Sequence, residues 1–255
     1  MNKPSCYICG TFAGQYHKQV TDRYSIYKCL TCGLEYTYPV PQDEEIKAFY
    51  FQYKDFRADR EIVELNAKEH LKTLEKYGWT PDSKMLDFGT GDGVFVEIAG
   101  GNTFGIDMKP SDNPRIKSSL EGAWEDVNWD FITLFGVLEH LPSPLQTMRN
   151  LLSRLQMNGV IAVTTVDAEG VIPYYYKPPE HLTYWTRSAF EAMCKVLNLR
   201  IIEYTPYKMF QLGKVYLERL LSRTPEEYQE LIVNNLPRVV YVPTNEVRCL
   251  LQKNG

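Results

Sequence analysis

No run of apolar residues in this 255-residue chain approaches the roughly 18–20 needed to cross a bilayer, and the opening MNKPSCYICG lacks the charged-then-apolar pattern of a secretory signal. Both absences point to a cytoplasmic protein with no membrane partner. Basic charge is not in excess: 28 Lys and Arg face 32 Asp and Glu, a formal net charge of −4. No global positive field therefore draws in nucleic acid, although a local patch is left open. Repeats and low-complexity tracts are missing, and 44% hydrophobic with 24% charged residues suits a chain folded throughout. The length allows one main core and one small satellite. Histidine is scarce, with four in all, so each can be weighed singly.

Cysteine is present in a telling arrangement. Four of the six fall within the first 32 residues as CYICG and CLTCG, that is Cys6, Cys9, Cys29 and Cys32; Cys194 and Cys249 stand alone. A thiolate pair two residues apart grips one face of a tetrahedral Zn²⁺, and the following glycine permits the tight turn that aims amides at sulfur. Two such pairs make a closed structural zinc site, which in a reducing compartment outweighs a disulfide. Between them YHKQVTDRYSIYK alternates well enough for short ribbon strands.

The next stretch is polar and helical in pattern. Ile46, Phe49, Tyr50 and Tyr53 share one helical face, and Leu65, Leu71 and Leu74 mark a second segment ending at Gly78. These read as packing helices between ribbon and core; the alternative is that Tyr50 or Tyr53 covers a substrate.

From residue 84 strand and helix alternate: KMLDF, then VFVEIA as a helix, TFGIDM, WDFITLF, the helix PLQTMRNLLSRL closed by Asn158-Gly159, and the strand VIAVTTV. The tail adds a helix in RSAFEAMCKVLN, a strand in LRIIEYT, a helical KVYLERLL and a final apolar EVRCLLQK. The expectation is an α/β fold, a doubly wound, mostly parallel, Rossmann-like sheet with ligands at the carboxyl ends of its strands. The expected organisation is a zinc ribbon over 1–40, a helical linker or lid over 41–80 and the α/β domain over 81–255.

LDFGTGDGVF places Asp87, Gly89, Thr90, Gly91 and Gly93 between the first strand and its helix. Alternate glycines let the backbone turn sharply and approach a ligand. Asp107 ends the next strand twenty positions after Asp87, where a carboxylate accepts the hydroxyls of a ribose. A dinucleotide loop of the form Gly-x-Gly-x-x-Gly would need a small residue at 94, which is Val94.

Residues 84–166 resemble a class I S-adenosylmethionine-dependent methyltransferase, with LDFGTGDG, FGIDM and WDFITLFGVLEHLPSP in that family's order. The cysteine pairs, CGLEYTYPVP and PPEHLTYWT are similar to a bacterial subgroup with a zinc-binding N-terminus, associated with sugar and natural-product tailoring. The resemblance implies S-adenosylmethionine as cofactor. It places Asp87 near the methionine amino group, Gly89 and Gly91 along the methionine part, Asp107 at the ribose and Met108 on the adenine face. Leu120 or Glu121 would meet the adenine edge, and Phe135 with Gly136 the sulfonium end. The chain ends too soon for the second large domain of the sugar C-methyltransferases.

A proton on the acceptor must go somewhere, and histidine suits that task near neutral pH. His17 in the ribbon and His70 on the linking helix suit surface or packing roles. His140 in FGVLEHLPSP and His181 in YYYKPPEHLTYWT both fall where the ligand-bearing edge should be, the second beside five aromatics that could wall a pocket. Glu139 could orient His140, or the pair could hold a divalent metal if further carboxylates stood nearby. Ser143 and Pro144 suit the cap and first turn of the following helix. The resulting expectation is methyl transfer to a small polar metabolite, with His140 or His181 as base. An RNA methyltransferase gripping its target through the ribbon, and a non-catalytic cofactor-binding subunit, stand as alternatives.

Overall fold

The computed structural model describes residues 4–52, 59–119, 124, 126–170, 172, 174–220 and 236–254. Tyr53, Leu120 and Glu121 lie outside the described residues.

The N-terminal segment forms an antiparallel meander of β1 (Gly14–Gln19), β2 (Ser25–Cys29) and β3 (Glu35–Tyr38). Its outer strand β1 is exposed over all but Gly14, whereas β3 buries Glu35, Tyr36 and Thr37. β3 is covered because a two-residue strand from far along the chain, β9 (Thr183–Tyr184), pairs antiparallel on its free side. Two helices follow, α1 (Asp43–Gln52) and α2 (Arg60–Glu75). Asp59 caps α2 by accepting from the Glu61 amide at 3.1 Å, and Ile62, Ala67, His70, Leu71 and Leu74 form its buried face.

The larger sheet has seven strands in the order β10-β11-β8-β7-β4-β5-β6. Its members are β4 (Met85–Phe88), β5 (Thr103–Ile106), β6 (Ile116–Lys117), β7 (Trp129–Phe135), β8 (Leu155–Val166), β10 (Leu199–Leu212) and β11 (Val239–Lys253). β6, β5, β4, β7 and β8 run parallel, and β11 lies antiparallel between β8 and β10. This is the doubly wound, mostly parallel Rossmann-like sheet expected from the alternating pattern. Strand order reverses between β4 and β7, and the carboxyl ends of strands at such a reversal are where sheets of this kind bind ligands.

Side-chain alternation along β7 divides the core. Ile132 and Leu134 enter the cluster with Met148 and Leu151 of α4 (Pro144–Leu152) and Phe190 and Met193 of α5 (Arg187–Leu197). Phe131 and Phe135 enter the other, with Leu71 and Leu74 of α2 and Phe95 of α3 (Val94–Ala99). The first cluster also contains Cys6, Ile8, Cys29, Cys32, Leu34 and Tyr36, so ribbon and sheet share one core. A further helix, α6 (Gly213–Leu220), follows β10. No helix among the described residues is long and apolar enough to cross a membrane.

Two local expectations are corrected. α4 ends at Leu152, and Asn158-Gly159 lies inside β8, where the register with β7 slips between Trp129 and Phe131. Leu155 is buried against that register and starts the strand early, so Asn158, at φ +62°, makes an irregularity in the strand and no helix stop. Ser143 holds the cap position of α4 with Pro144 in its first turn, yet its side chain makes no capping hydrogen bond.

Candidate active site

The loop after β4 turns through three left-handed glycines, Gly89 at φ +82°, Gly91 at +59° and Gly93 at +80°. A Cβ on Gly89 would lie 2.4 Å from Val137 Cγ2 and 3.4 Å from its Cβ, so that position needs glycine for space as well as for φ, whereas at Gly93 the positive φ is the constraint. A Cβ at Gly91 would meet open space, which leaves the backbone there approachable by a ligand. Thr90 turns inward against Gly105.

Two carboxylates flank this loop with different surroundings. Asp87, 3% exposed at the end of β4, accepts from Thr133 Oγ1 at 2.6 Å. Burial pushes its carboxyl up to about 6, against the lowering effect of that hydrogen bond. Asp107 follows β5 and accepts from the Gly91 amide at 2.8 Å through one oxygen and from the Lys109 amide at 2.9 Å through the other. It is half-buried beside the exposed Met108. A cofactor carrying an ammonium, a ribose and a flat base fits these residues. The buried Asp87 lacks a cation partner among the described residues, Asp107 stands at the loop, and Met108 offers an apolar ledge.

Phe135 and Gly136 end β7. The Phe135 ring stacks on His70 with centroids 3.6 Å apart and an interplanar angle of 14°, and meets Phe95 edge-on. The ring thus packs under α2. Gly136, at φ +64°, donates its amide to Thr164 O and Oγ1 at 2.9 and 3.0 Å. His70 completes a stack with Tyr207, whose hydroxyl is 3.0 Å from His70 Nε2, and burial holds its imidazole down at about 3.

Beyond Gly136 a short 3-10 turn, Leu138–His140, brings two of the singled-out residues to the same edge as His181. Glu139 is buried, and Thr165 Oγ1 donates to its Oε2 at 2.7 Å. His140 Nδ1 is 2.8 Å from the Glu180 carbonyl oxygen, and its Nε2 is 3.9 Å from Glu139 Oε1. The His140 and His181 rings meet at 4.8 Å, nearly perpendicular, and Tyr50 of α1 stands edge-on to His140 at 6.0 Å. Desolvation, followed by the neighbouring His140 and Lys177, lowers the His181 imidazole to about 3. Its Nδ1 is buried without a hydrogen-bond partner among the described residues.

Of the five aromatics of YYYKPPEHLTYWT, the buried Tyr184 lies with its ring 6.0 Å from that of His181, and the other four take positions away from it. Tyr174 and Tyr176 donate to Glu35 of β3 at 2.7 and 2.8 Å, Tyr175 is exposed, and Trp185 is in the core. A buried carboxylate captures phenols that sequence pattern alone would turn toward a ligand. Glu35 and Thr165 were the residues missed in the sequence. The acid between Leu34 and Tyr36 in an alternating run was the available signal for Glu35.

In the ribbon, Cys6 and Cys32 sulfurs are 3.5 Å apart, as are those of Cys9 and Cys29, and all four lie within 4.8 Å of one another. A tetrahedron of sulfurs about 2.3 Å from Zn²⁺ has edges of about 3.8 Å. Each pair closes the same turn: Gly10 N donates to Cys6 O at 3.0 Å and Gly33 N to Cys29 O at 2.8 Å, both glycines left-handed. The hydrogen bond between Cys6 and Cys32 lowers the Cys6 thiol and raises that of Cys32, so the two sulfurs share one proton that a bound metal would displace. The donor set therefore fits zinc.

Residues 56–204 match the family described as "Methyltransferase domain". The "Ubiquinone biosynthesis O-methyltransferase, mitochondrial" of Saccharomyces cerevisiae is 26% identical over 212 residues, covering 66% of this chain and 67% of that protein. In fold the chain is similar to the Burkholderia thailandensis 1,6-didemethyltoxoflavin-N1-methyltransferase solved with S-adenosylhomocysteine. That likeness has a TM-score of 0.55 at 13% identity and covers 94% of this chain and all of that one. An Archaeoglobus fulgidus S-adenosylmethionine-dependent methyltransferase gives a TM-score of 0.52 at 18% identity over 81% and 99% of the two chains. The fold and the glycine-loop site together define a class I S-adenosylmethionine-dependent methyltransferase. The chain belongs to the methyltransferase-domain family.

Proposed function

We propose that the protein transfers the methyl group of S-adenosylmethionine to an oxygen of a small hydroxylated metabolite, with His140 as the general base. The observation that carries this reading is the orientation of the His140 ring. A carbonyl oxygen only accepts, so the 2.8 Å contact with Glu180 puts the ring proton on Nδ1 and leaves the lone pair of the neutral ring on Nε2. A proton taken up at Nε2 then faces Glu139 Oε1 at 3.9 Å, a buried carboxylate anchored by Thr165. Glu139 thus stands beside the nitrogen that would take up the proton.

When bound, the cofactor supplies an electrophilic methyl group on a positively charged sulfur. The chain's own residues align the acceptor oxygen, keep out water and take the proton. Asp87, Gly89, Gly91, Gly93, Asp107 and Met108 would hold the cofactor, and His140 would meet the acceptor beneath Tyr50. A natural-product intermediate or nucleotide-linked sugar falls within this acceptor class, and the O-methyl transfer named for the yeast relative supports oxygen as the target. Cys6, Cys9, Cys29 and Cys32 would hold a structural Zn²⁺.

The test is calorimetric titration with S-adenosylhomocysteine, followed by methyl transfer against a panel of catechols, phenols and sugar nucleotides. His140→Ala is expected to lower turnover by roughly 10²–10⁴ while leaving S-adenosylhomocysteine affinity within about twofold. Parental turnover in a folded, cofactor-binding His140→Ala protein rules out the base assignment.

A second reading rests on the orphaned Nδ1 of His181. Ligand atoms of Glu139, His140 and His181 lie within 4.8 Å of one another, and a divalent cation among them would give that nitrogen a partner and polarise an acceptor oxygen. Activity that falls on chelation and returns with Mg²⁺, in protein whose ribbon zinc is retained by metal analysis, selects this reading. Activity indifferent to chelation selects the metal-free base.

A further inference from the structure

The buried Glu35 belongs to the ribbon, yet its partners belong to the loop that carries His181. Its Oε2 accepts from Tyr174 at 2.7 Å and from Tyr176 at 2.8 Å, and the two phenol oxygens are themselves 2.9 Å apart. Lys28 approaches the other carboxylate oxygen at 3.3 Å. One side of the carboxylate is thus satisfied within the ribbon and the other only by the loop.

The same strand grips the loop again further along. Thr37 Oγ1 donates to the His181 carbonyl at 2.9 Å, and the Thr37 amide donates to the Leu182 carbonyl at 2.9 Å. On the opposite side the Leu182 amide donates to the Glu139 carbonyl at 2.7 Å, and the Glu180 carbonyl accepts from His140. The segment from Tyr174 to Tyr184 is therefore held between β3 and the 3-10 turn. Leu182 thus bonds to the base-bearing turn through its amide and to the ribbon through its carbonyl.

We propose that Glu35 is a positioning residue for methyl transfer: through Tyr174 and Tyr176 it fixes the loop whose Glu180 carbonyl orients His140 and whose His181 closes the same edge. This rests on the reading of that edge as the acceptor site. The ribbon then serves the acceptor half of the reaction and leaves the cofactor half alone, because Asp87, Asp107 and the glycine loop make no hydrogen bond to ribbon residues among the described residues. A buried carboxylate that loses its donors pays a large desolvation penalty, so the carboxylate and the two phenols hold one another in a single arrangement.

The test uses the full-length protein with its ribbon metal bound and S-adenosylhomocysteine as the only ligand, so no acceptor need be known. In Glu35→Gln, amide exchange across 174–184 is expected to rise at least tenfold. The His140 side-chain ¹⁵N signals should move from a fixed Nδ1–H tautomer toward an averaged pattern. The Kd for S-adenosylhomocysteine should stay within twofold, and exchange across 86–93 should not change. The double variant Tyr174→Phe/Tyr176→Phe removes the donors without touching the charge and should give the same signature, while Glu35→Asp restores part of the protection. Unchanged exchange and tautomer in both Glu35→Gln and the double variant overturn the proposal. So does a parallel loss of S-adenosylhomocysteine binding, which would make Glu35 a support of the whole fold. Failure of every acceptor in the turnover panel leaves the exchange and tautomer results standing, so the two readings fail separately.

Discussion

His140 Nδ1 and the carbonyl oxygen of Glu180 lie 2.8 Å apart, joining the turn after β7 to the loop after β8. The contact decides which ring nitrogen is available. Long-range ¹H–¹⁵N correlation on the free protein, at a pH where the ring is neutral, is expected to show a single Nδ1–H tautomer. Finding the proton on Nε2 would remove the lone pair from the side facing Glu139 and contradict His140 as the base.

Asp87 predicts opposite effects on stability and on cofactor binding. Its folded pKa of about 6 stands above the ordinary 3.8, so between those values the native state holds a proton that the unfolded chain has lost. Stability of the cofactor-free protein therefore falls as pH rises through that window, by about 3 kcal/mol for about two pKa units, and stays lower above it. Asp87→Asn should raise the cofactor-free Tm at pH 7. The same change should weaken S-adenosylhomocysteine by roughly 10–100-fold, because an amide cannot pair with its ammonium. In the parent protein the affinity should decline below pH 6. An affinity flat from pH 7.5 to 5 would separate Asp87 from the cofactor.

His70 acts in the reverse sense. Its imidazole is buried neutral, with a folded pKa of about 3 against an ordinary 6.5, so the unfolded chain binds the proton first. Stability is lost as pH falls below 6.5, by up to about 1.4 kcal/mol per pH unit. His70→Phe leaves the Tyr207 hydroxyl without its partner and should cost about 1–3 kcal/mol at pH 7. By pH 4.5 that gap should shrink or reverse in denaturant melts. A gap independent of pH would mean that His70 is not buried neutral.

The four cysteines should carry one equivalent of zinc per chain by elemental analysis. Cys29→Ser is expected to lower stability by about 3 kcal/mol, roughly 6–12 °C in Tm for a chain of this size. Protein purified metal-free with an unchanged melt would exclude a structural zinc.

Much of the fold was legible because its elements announce themselves locally. WDFITLF is β7 over the same seven residues, and the glycines of LDFGTGDG all take positive φ, with Gly89 also lacking room for a Cβ. Non-local contacts were the unreadable part. EVRCLLQK gave no sign of pairing with β8 and β10, since an antiparallel insertion is decided by partners far along the chain. His140 and His181 could be placed on one edge by topology. That Glu139 lies beside both, with Thr165 on its far oxygen, depends on a turn geometry that no spacing encodes. Tyr174 and Tyr176 misled for the same reason, because their partner Glu35 is 139 and 141 positions away.

The pairing of β9 with β3 has a consequence for how such a chain can change over time. The first forty residues have the outline of a detachable cassette, yet their sheet is closed by Thr183 and Tyr184. Exchanging this cassette for another would leave the borrowed one with a raw edge unless the recipient already had a matching strand. The ribbon and the loop that carries Thr183 and Tyr184 are therefore expected to have been inherited as a unit, so that a change at one end of that pairing would draw a compensating change at the other.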